Sequence, residues 1–201
     1  SFPTRRSSDL NGKKNGKGKE YYNENGKLKF EGEYLNDKKW VGTLYDKKGN
    51  VIYKLDNNKG EGKEYYDFYD EGKLSFEGKY LNGKRNGKGK EYYYNGNILF
   101  EGEFLNDLEW NGKGYDIFKN LAYELKDGKG LVKKYDNYNG ELEFEGEYLY
   151  GQKNGKGKEF WDNDNVMFEG EYLNGKPNGK GKEYYYDGKL CFEGEYLYDF
   201  K

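Results

Sequence analysis

The sequence predicts an all-β fold, an elongated single-layer antiparallel meander of repeated β-hairpins that stays open and twisted. Three observations carry this. First, Phe168-Glu169-Gly170-Glu171-Tyr172-Leu173 recurs in near-copy from Phe30, Phe76, Phe100, Phe144 and Phe192. The step is 24 residues from Phe76 to Phe100, from Phe144 to Phe168 and from Phe168 to Phe192, and a fixed period of this size marks a stack of one supersecondary unit. Second, each copy alternates like a strand. Leu190, Phe192, Gly194 and Tyr196 lie on one side, and Cys191, Glu193, Glu195 and Leu197 on the other. Third, 31 glycines and a single alanine, Ala122, leave no stretch with helical propensity. Asn95-Gly96 and Asp187-Gly188 supply the positive φ that hairpin turns need.

Residues 1–10 share nothing with the repeat and read as the translation of a sequencing adapter, so they are set aside from the fold. Residues 11–201 form the array, expected to be a fragment of a longer chain because Asn11–Gly16 enters the repeat half-way. Each unit pairs a Phe-Glu-Gly-Glu strand with a Gly-x-Gly strand. The repeat-defining residues are Phe76, Gly78, Tyr80, Gly87, Gly89, Phe100, Gly102, Phe144, Gly146, Tyr148, Gly155, Gly157, Phe168, Gly170, Tyr172, Gly179, Gly181, Phe192, Gly194 and Tyr196. Trp40–Leu55 and Trp110–Leu125 are shorter, degenerate units, and counting them gives eight hairpins, or sixteen strands.

A loop over Asn174–Asn178 would pair Leu173 with Lys180, Tyr172 with Gly181, Phe168 with Tyr185 and Glu171 with Lys182. The tight turn at Asp187-Gly188 would set Lys182 opposite Glu193 and Lys180 opposite Glu195. One face then carries rings lying over glycines. The other carries a Glu–Lys–Glu ladder, each exposed pair contributing about 0.2–1 kcal/mol.

Without the first ten residues the chain has 33 basic and 36 acidic side chains, a net charge of −3. Neither a polyanionic nor a strongly basic partner is implied. Arg85 is the one arginine left, which excludes nucleic-acid readers that depend on bidentate arginine contacts. A mean hydropathy of −1.31 belongs with disorder, but 19% aromatic content in fixed register does not. Burial here rests on Tyr and Phe. Cys191 is the sole cysteine, so no disulfide forms within the chain and a reducing, cytoplasmic setting is expected, with any membrane association peripheral. No apolar run is long enough to cross a bilayer.

Phe168-Glu169-Gly170-Glu171-Tyr172, Gly175-Lys176 and Gly179-Lys180-Gly181 together are similar to the MORN (membrane occupation and recognition nexus) repeat, and the likeness extends over residues 11–201. The resemblance implies a row of β-hairpins used for scaffolding, dimerisation and, in some members, contact with phospholipid membranes. Many members have His before Gly-x-Gly where this chain has Asn86, Asn154 and Asn178, and Lys between the glycines makes the face more ionic. Lys-Glu-Tyr-Tyr followed by Asn-Gly also resembles a bacterial antitoxin-like variant.

Within the array there is no His, and Cys191, Ser75 and Thr43 are the only nucleophiles of their kinds. Base-activated triads cannot be assembled from them, and carboxylates present in every repeat read as a ladder. No enzyme, cofactor, metal or small-molecule substrate is expected. Gly83–Lys88 lacks the Ser/Thr and helix of a phosphate loop and reads as a hairpin loop. Asp162–Asn165 lacks the Gly and distal Glu of a calcium loop and reads as a turn.

The expected role is a non-catalytic scaffold for protein–protein contact or self-association, by unblunted sheet edges or the aromatic sides, with Pro177 in a loop and no bulge to interfere. The first alternative is a peripheral module for acidic phospholipid, using Lys88, Lys90, Lys156, Lys158, Lys180 and Lys182. Others are a regulatory arm of a larger enzyme, such as a lipid kinase or methyltransferase, and the antitoxin-like component.

Overall fold

The computed structural model describes residues 12–56, 59–66, 73–81 and 84–197. The segment set aside above, residues 1–10, lies outside them. The chain divides into two compact units, 1–89 and 90–201, in each of which neighbouring strands follow chain order. The first unit holds β1 (Gly16–Tyr21), β2 (Leu28–Leu35), β3 (Lys38–Tyr45), β4 (Val51–Asp56), β5 (Lys59–Tyr65), β6 (Leu74–Leu81) and the start of β7 (Lys84–Tyr92). The second continues with β8 (Ile98–Leu105), β9 (Leu108–Tyr115), β10 (Leu121–Leu125), β11 (Gly130–Tyr135) and β12 (Leu142–Leu149). It ends with β13 (Gln152–Phe160), β14 (Val166–Leu173), β15 (Lys176–Tyr184) and β16 (Leu190–Tyr196). The described residues thus form sixteen antiparallel strands and no helix, as the repeat count predicts.

Register departs from the prediction at one side of each unit. Asn174 and Gly175 both take positive φ, 51° and 86°, so they close a two-residue turn whose twist suits the strands. Leu173 therefore pairs with Lys176 and Tyr172 with Pro177, not with Lys180 and Gly181. The remainder of the expected Asn174–Asn178 loop extends β15, and Pro177 sits in a strand. The surplus length is absorbed further along. Between the pairs Tyr172–Pro177 and Gly170–Gly181, Glu171 alone faces Asn178, Gly179 and Lys180. This bulge is possible because Gly179 takes a φ of 104°, a region that costs a side chain dearly. The β12–β13 pair repeats the device, with Tyr148 opposite Lys153, Gly146 opposite Gly157 and Gly155 at 97°.

Three expectations are corrected with it. A bulge is present where none was foreseen. Gly179 lies against the Glu171 carboxylate instead of beneath a ring. Phe168 stands opposite Glu183, not Tyr185, and Lys182 opposite Glu169, not Glu171. Across the tight turn at Asp187-Gly188, Lys182–Glu193 and Lys180–Glu195 pair as predicted.

Rings do cover the second glycine. A Cβ built on Gly181 would stand 2.7 Å from Phe168 Cζ and 3.0 Å from Tyr196 Cε2. Each Phe lies flat over its own Gly and the facing one, and the Tyr rings wedge between successive Phe rings. Centroids are 5.4 Å apart for Phe168–Tyr172, 5.2 Å for Phe168–Tyr196 and 5.7 Å for Phe144–Tyr172, all edge-to-face. Such contacts contribute about 0.5–1.5 kcal/mol each beyond area burial. Phe30–Tyr34 and Phe76–Tyr80 repeat the arrangement in the first unit. The Trp units keep the facing glycines, Gly32–Gly42 and Gly102–Gly112. There Leu55 joins Phe30 and Tyr34 in the buried cluster. A ring-filled layer on one side of the strands is the core.

Candidate interaction faces

The ring side is not purely apolar. Glu20 stands opposite Phe30, Glu64 opposite Phe76, and Glu183 opposite both Phe168 and Phe192. These carboxylates go unread in the sequence, where the Glu and Lys of the other side dominate. The signal was available, because in Gly-x-Gly-Lys-Glu the Glu shares strand parity with the second Gly. The matching cation comes from the residue opposite the Tyr, as in Lys39–Tyr34 and Lys153–Tyr148. Lys39 Nζ lies 2.9 Å from Glu20 and 5.1 Å from the Phe30 centroid. Arg85 lies 2.6 Å from Glu64 and 4.2 Å from the Phe76 centroid. Lys153 pairs with Glu159 and sits 4.5 Å from the Phe144 centroid.

One site swaps the signs. Glu109 occupies the cation's place opposite Phe104, and Lys134 the carboxylate's place opposite Phe144. They pair with each other at 2.5 Å. Tyr123 completes the site, donating to Glu109 at 2.8 Å and accepting from Lys134 at 2.6 Å.

These clusters are built for structure. Burial alone would raise the Glu20 pKa, but hydrogen bonds from Lys14 and Lys39 outweigh it and hold the value at about 2. In Glu64 burial is likewise overcome, by Arg85 and Tyr80, and the net shift is downward. Tyr80, which donates to Glu64, is pushed up by burial and then by that carboxylate. Carboxylates held this acidic are poor general acids, and phenols pushed upward are poor nucleophiles. Among the described residues no group of three His, Cys, Asp or Glu is placed to hold a metal ion. Asp162–Asn165 forms a turn, with Asn163 Oδ1 accepting from the Asn165 N–H at 3.1 Å. Lys84–Lys88 runs as strand within β7 instead of forming a loop.

On the opposite side, Lys133, Glu145, Lys158, Glu169, Lys182 and Glu193 are successive cross-strand partners over β11–β16. Lys133–Glu145, Lys158–Glu169 and Lys182–Glu193 are 3.4, 3.3 and 3.2 Å apart. A second row, Glu147, Lys156, Glu171, Lys180 and Glu195, behaves differently. The bulge draws the Glu171 carboxylate onto backbone, where the Lys180 N–H donates to it at 3.3 Å. Lys156 and Lys180 hold no ion pair among the described residues. The six lysines singled out by sequence therefore divide. Lys90, Lys158 and Lys182 sit in ion pairs, whereas Lys88, Lys156 and Lys180 do not. The two rows line an open groove of about 970 Å³, to whose lining Ala122, Leu131 and Val132 also belong. Five lysines and six glutamates line it, a net charge of −1.

Comparison with known families bears on this repeat. A family model of the MORN repeat matches residues 76–98, 144–166 and 168–189, and a model of a MORN repeat variant matches residues 14–36. The chain is a MORN-repeat protein. No curated protein matches it. The matched stretches leave out the two Trp units, yet these keep the facing glycines of the MORN hairpins, so they are degenerate by sequence and regular in backbone. The match of both models agrees with the MORN likeness seen in the sequence.

Proposed function

We propose that this MORN-repeat chain is a non-catalytic scaffold whose groove over β11–β16 receives a segment of a protein, either a partner or a second copy. The observation that carries the proposal is the groove itself: about 970 Å³, open, with apolar Ala122, Leu131 and Val132 in its lining beside alternating charge that sums to −1. Alternating charge of this kind selects by register more than by bulk attraction. Leu131 is 74% exposed and is the apolar anchor. The ring side is a weaker candidate for self-association than the sequence suggested. Phe144, Phe168, Tyr172 and Tyr196 are each at most 5% exposed, so their apolar area is already used within the chain.

A second reading, contact with acidic phospholipid, has one observation in its favour, the unpaired Lys156 and Lys180. Against it, Glu147, Glu171 and Glu195 flank them in the same row, and a surface of net −1 is not drawn to an anionic bilayer. Sedimentation of the purified chain across a concentration series, beside flotation with phosphatidylserine vesicles, separates the readings. The scaffold reading expects no vesicle binding at physiological salt, and protein contact that Leu131→Glu weakens. A strict monomer that floats with acidic vesicles at physiological salt would overturn it.

A further inference from the structure

The turns that join β9–β10, β11–β12 and β15–β16 carry exposed aromatic rings, and those that join β7–β8 and β13–β14 carry the half-buried Tyr94 and Trp161, none of them in the groove. Phe118 is 80% exposed, Tyr185 58%, Tyr186 53% and Tyr138 50%. Rings from separate turns meet: Tyr138 lies 5.2 Å from Tyr94, tilted by 39°, and Tyr186 lies 6.0 Å from Trp161 at 61°. The turns are also tied to one another. The Tyr94 N–H donates to the Asn137 carbonyl at 2.9 Å, Trp161 Nε1 to the Tyr184 carbonyl at 3.3 Å, and the Asn163 amide to the Tyr186 carbonyl at 3.0 Å. The surface is therefore held in place before anything binds, which lowers the cost of binding.

Charge decides what fits it. These five turns hold Asp116, Asp136, Glu141, Asp162, Asp164 and Asp187 against Lys119 and Lys189, a net charge of −4 where the groove is close to neutral. A polyanion or an acidic bilayer is repelled. A sugar platform needs ring faces lying in one plane, and the rings here are tilted against each other by 39° and 61°. We propose that this turn edge docks an arginine-rich extended segment of a partner protein, its guanidinium planes stacking on Tyr138, Tyr186 and Trp161 with the turn carboxylates behind them. Guanidinium suits such notches better than ammonium because it is planar and weakly hydrated. Beyond residue 10 the array holds one arginine, Arg85, so no segment within residues 11–201 is the occupant.

The test titrates the full chain, at physiological salt, with a twelve-residue peptide of alternating Arg and Gly, following tryptophan fluorescence and heat. A Lys–Gly peptide and a neutral glucan hexamer are titrated alongside. Saturable binding of the Arg peptide is expected, stronger than the Lys peptide, and weakened about tenfold in Tyr138→Ser/Tyr186→Ser. These rings are exposed, and far-UV circular dichroism verifies that the variant keeps its fold. No Arg-peptide binding, equal binding of both peptides unaffected by the variant, or saturable binding of the glucan instead would overturn the proposal.

Discussion

Replacing Gly181 by Ala tests the ring-over-glycine packing by its sign. In an unconstrained strand this change stabilises by about 0.4–1 kcal/mol, because the unfolded chain loses freedom. Here the new methyl would stand 2.7 Å from Phe168 Cζ and 3.0 Å from Tyr196 Cε2, against the ~3.5–4.0 Å of an ordinary carbon contact. Phe168 cannot slide aside, since Tyr172 and Tyr196 both meet it edge-to-face, and its ring also covers Gly170. Overpacking of this kind costs about 1–3 kcal/mol, so the net effect is a loss of up to about 2.5 kcal/mol. Stability in stacked repeats is a sum of local and neighbour terms. The loss should therefore appear as faster amide exchange in β14–β16, together with a lower urea midpoint. Combining the change with Phe168→Leu, which removes the ring, should recover about 1 kcal/mol as coupling. A raised midpoint in Gly181→Ala, or strict additivity with Phe168→Leu, would refute the packing argument.

Three further outcomes are expected. The Glu20 pKa is lowered from its ordinary 4.5 to about 2, so its contribution is fully present above pH 4.5 and lost as pH falls toward 2; Glu20→Gln should flatten acid-unfolding curves across that window. Lys134→Met leaves the Glu109 carboxylate, its side chain only 10% exposed, without its cation; the cost should reach about 3 kcal/mol or more in urea melts, and adding Glu109→Leu should return most of it. Gly179→Ala, at a φ of 104°, should cost about 1–2 kcal/mol, while the neighbouring Lys180→Gln should stay within about 0.5 kcal/mol; equal midpoints for the two would count against the bulge.

Fold class, strand number and the two-sided character of the strands were legible because they rest on period and parity, which the sequence displays directly. The ladder Glu169–Lys182–Glu193 was half legible. Its side through Asp187-Gly188 followed from a two-residue turn, but its side through Asn174–Asn178 did not. The reason is local: Asn174-Gly175 closes the turn by itself, and nothing in the composition of Lys176–Asn178 distinguishes strand from loop until the bulge at Gly179 is known. The charged clusters among the rings were hidden by a habit of pairing Glu with Lys on the face where both are plentiful. Only register shows that Lys39, Arg85 and Lys153 answer carboxylates on the other side. The groove and the aromatic turn edge depend on curvature and on contacts between hairpins, which no local pattern encodes.

The inverted pair Glu109–Lys134 has a bearing on how near-identical hairpins avoid mistaking one another. Where Lys134 stands, the equivalent strands carry Glu20, Glu64, Glu91, Glu159 and Glu183; where Glu109 stands, they carry Lys39, Arg85, Lys153 or Pro177. Hairpins joined one repeat out of step would part Glu109 from Lys134 and leave each among the rings without its opposite charge. Elsewhere a slipped pairing meets the same residue types and costs little. Duplicating or deleting a 24-residue repeat should thus be tolerated in most of the array and penalised across β9–β11, which acts as a landmark from which the rest is counted.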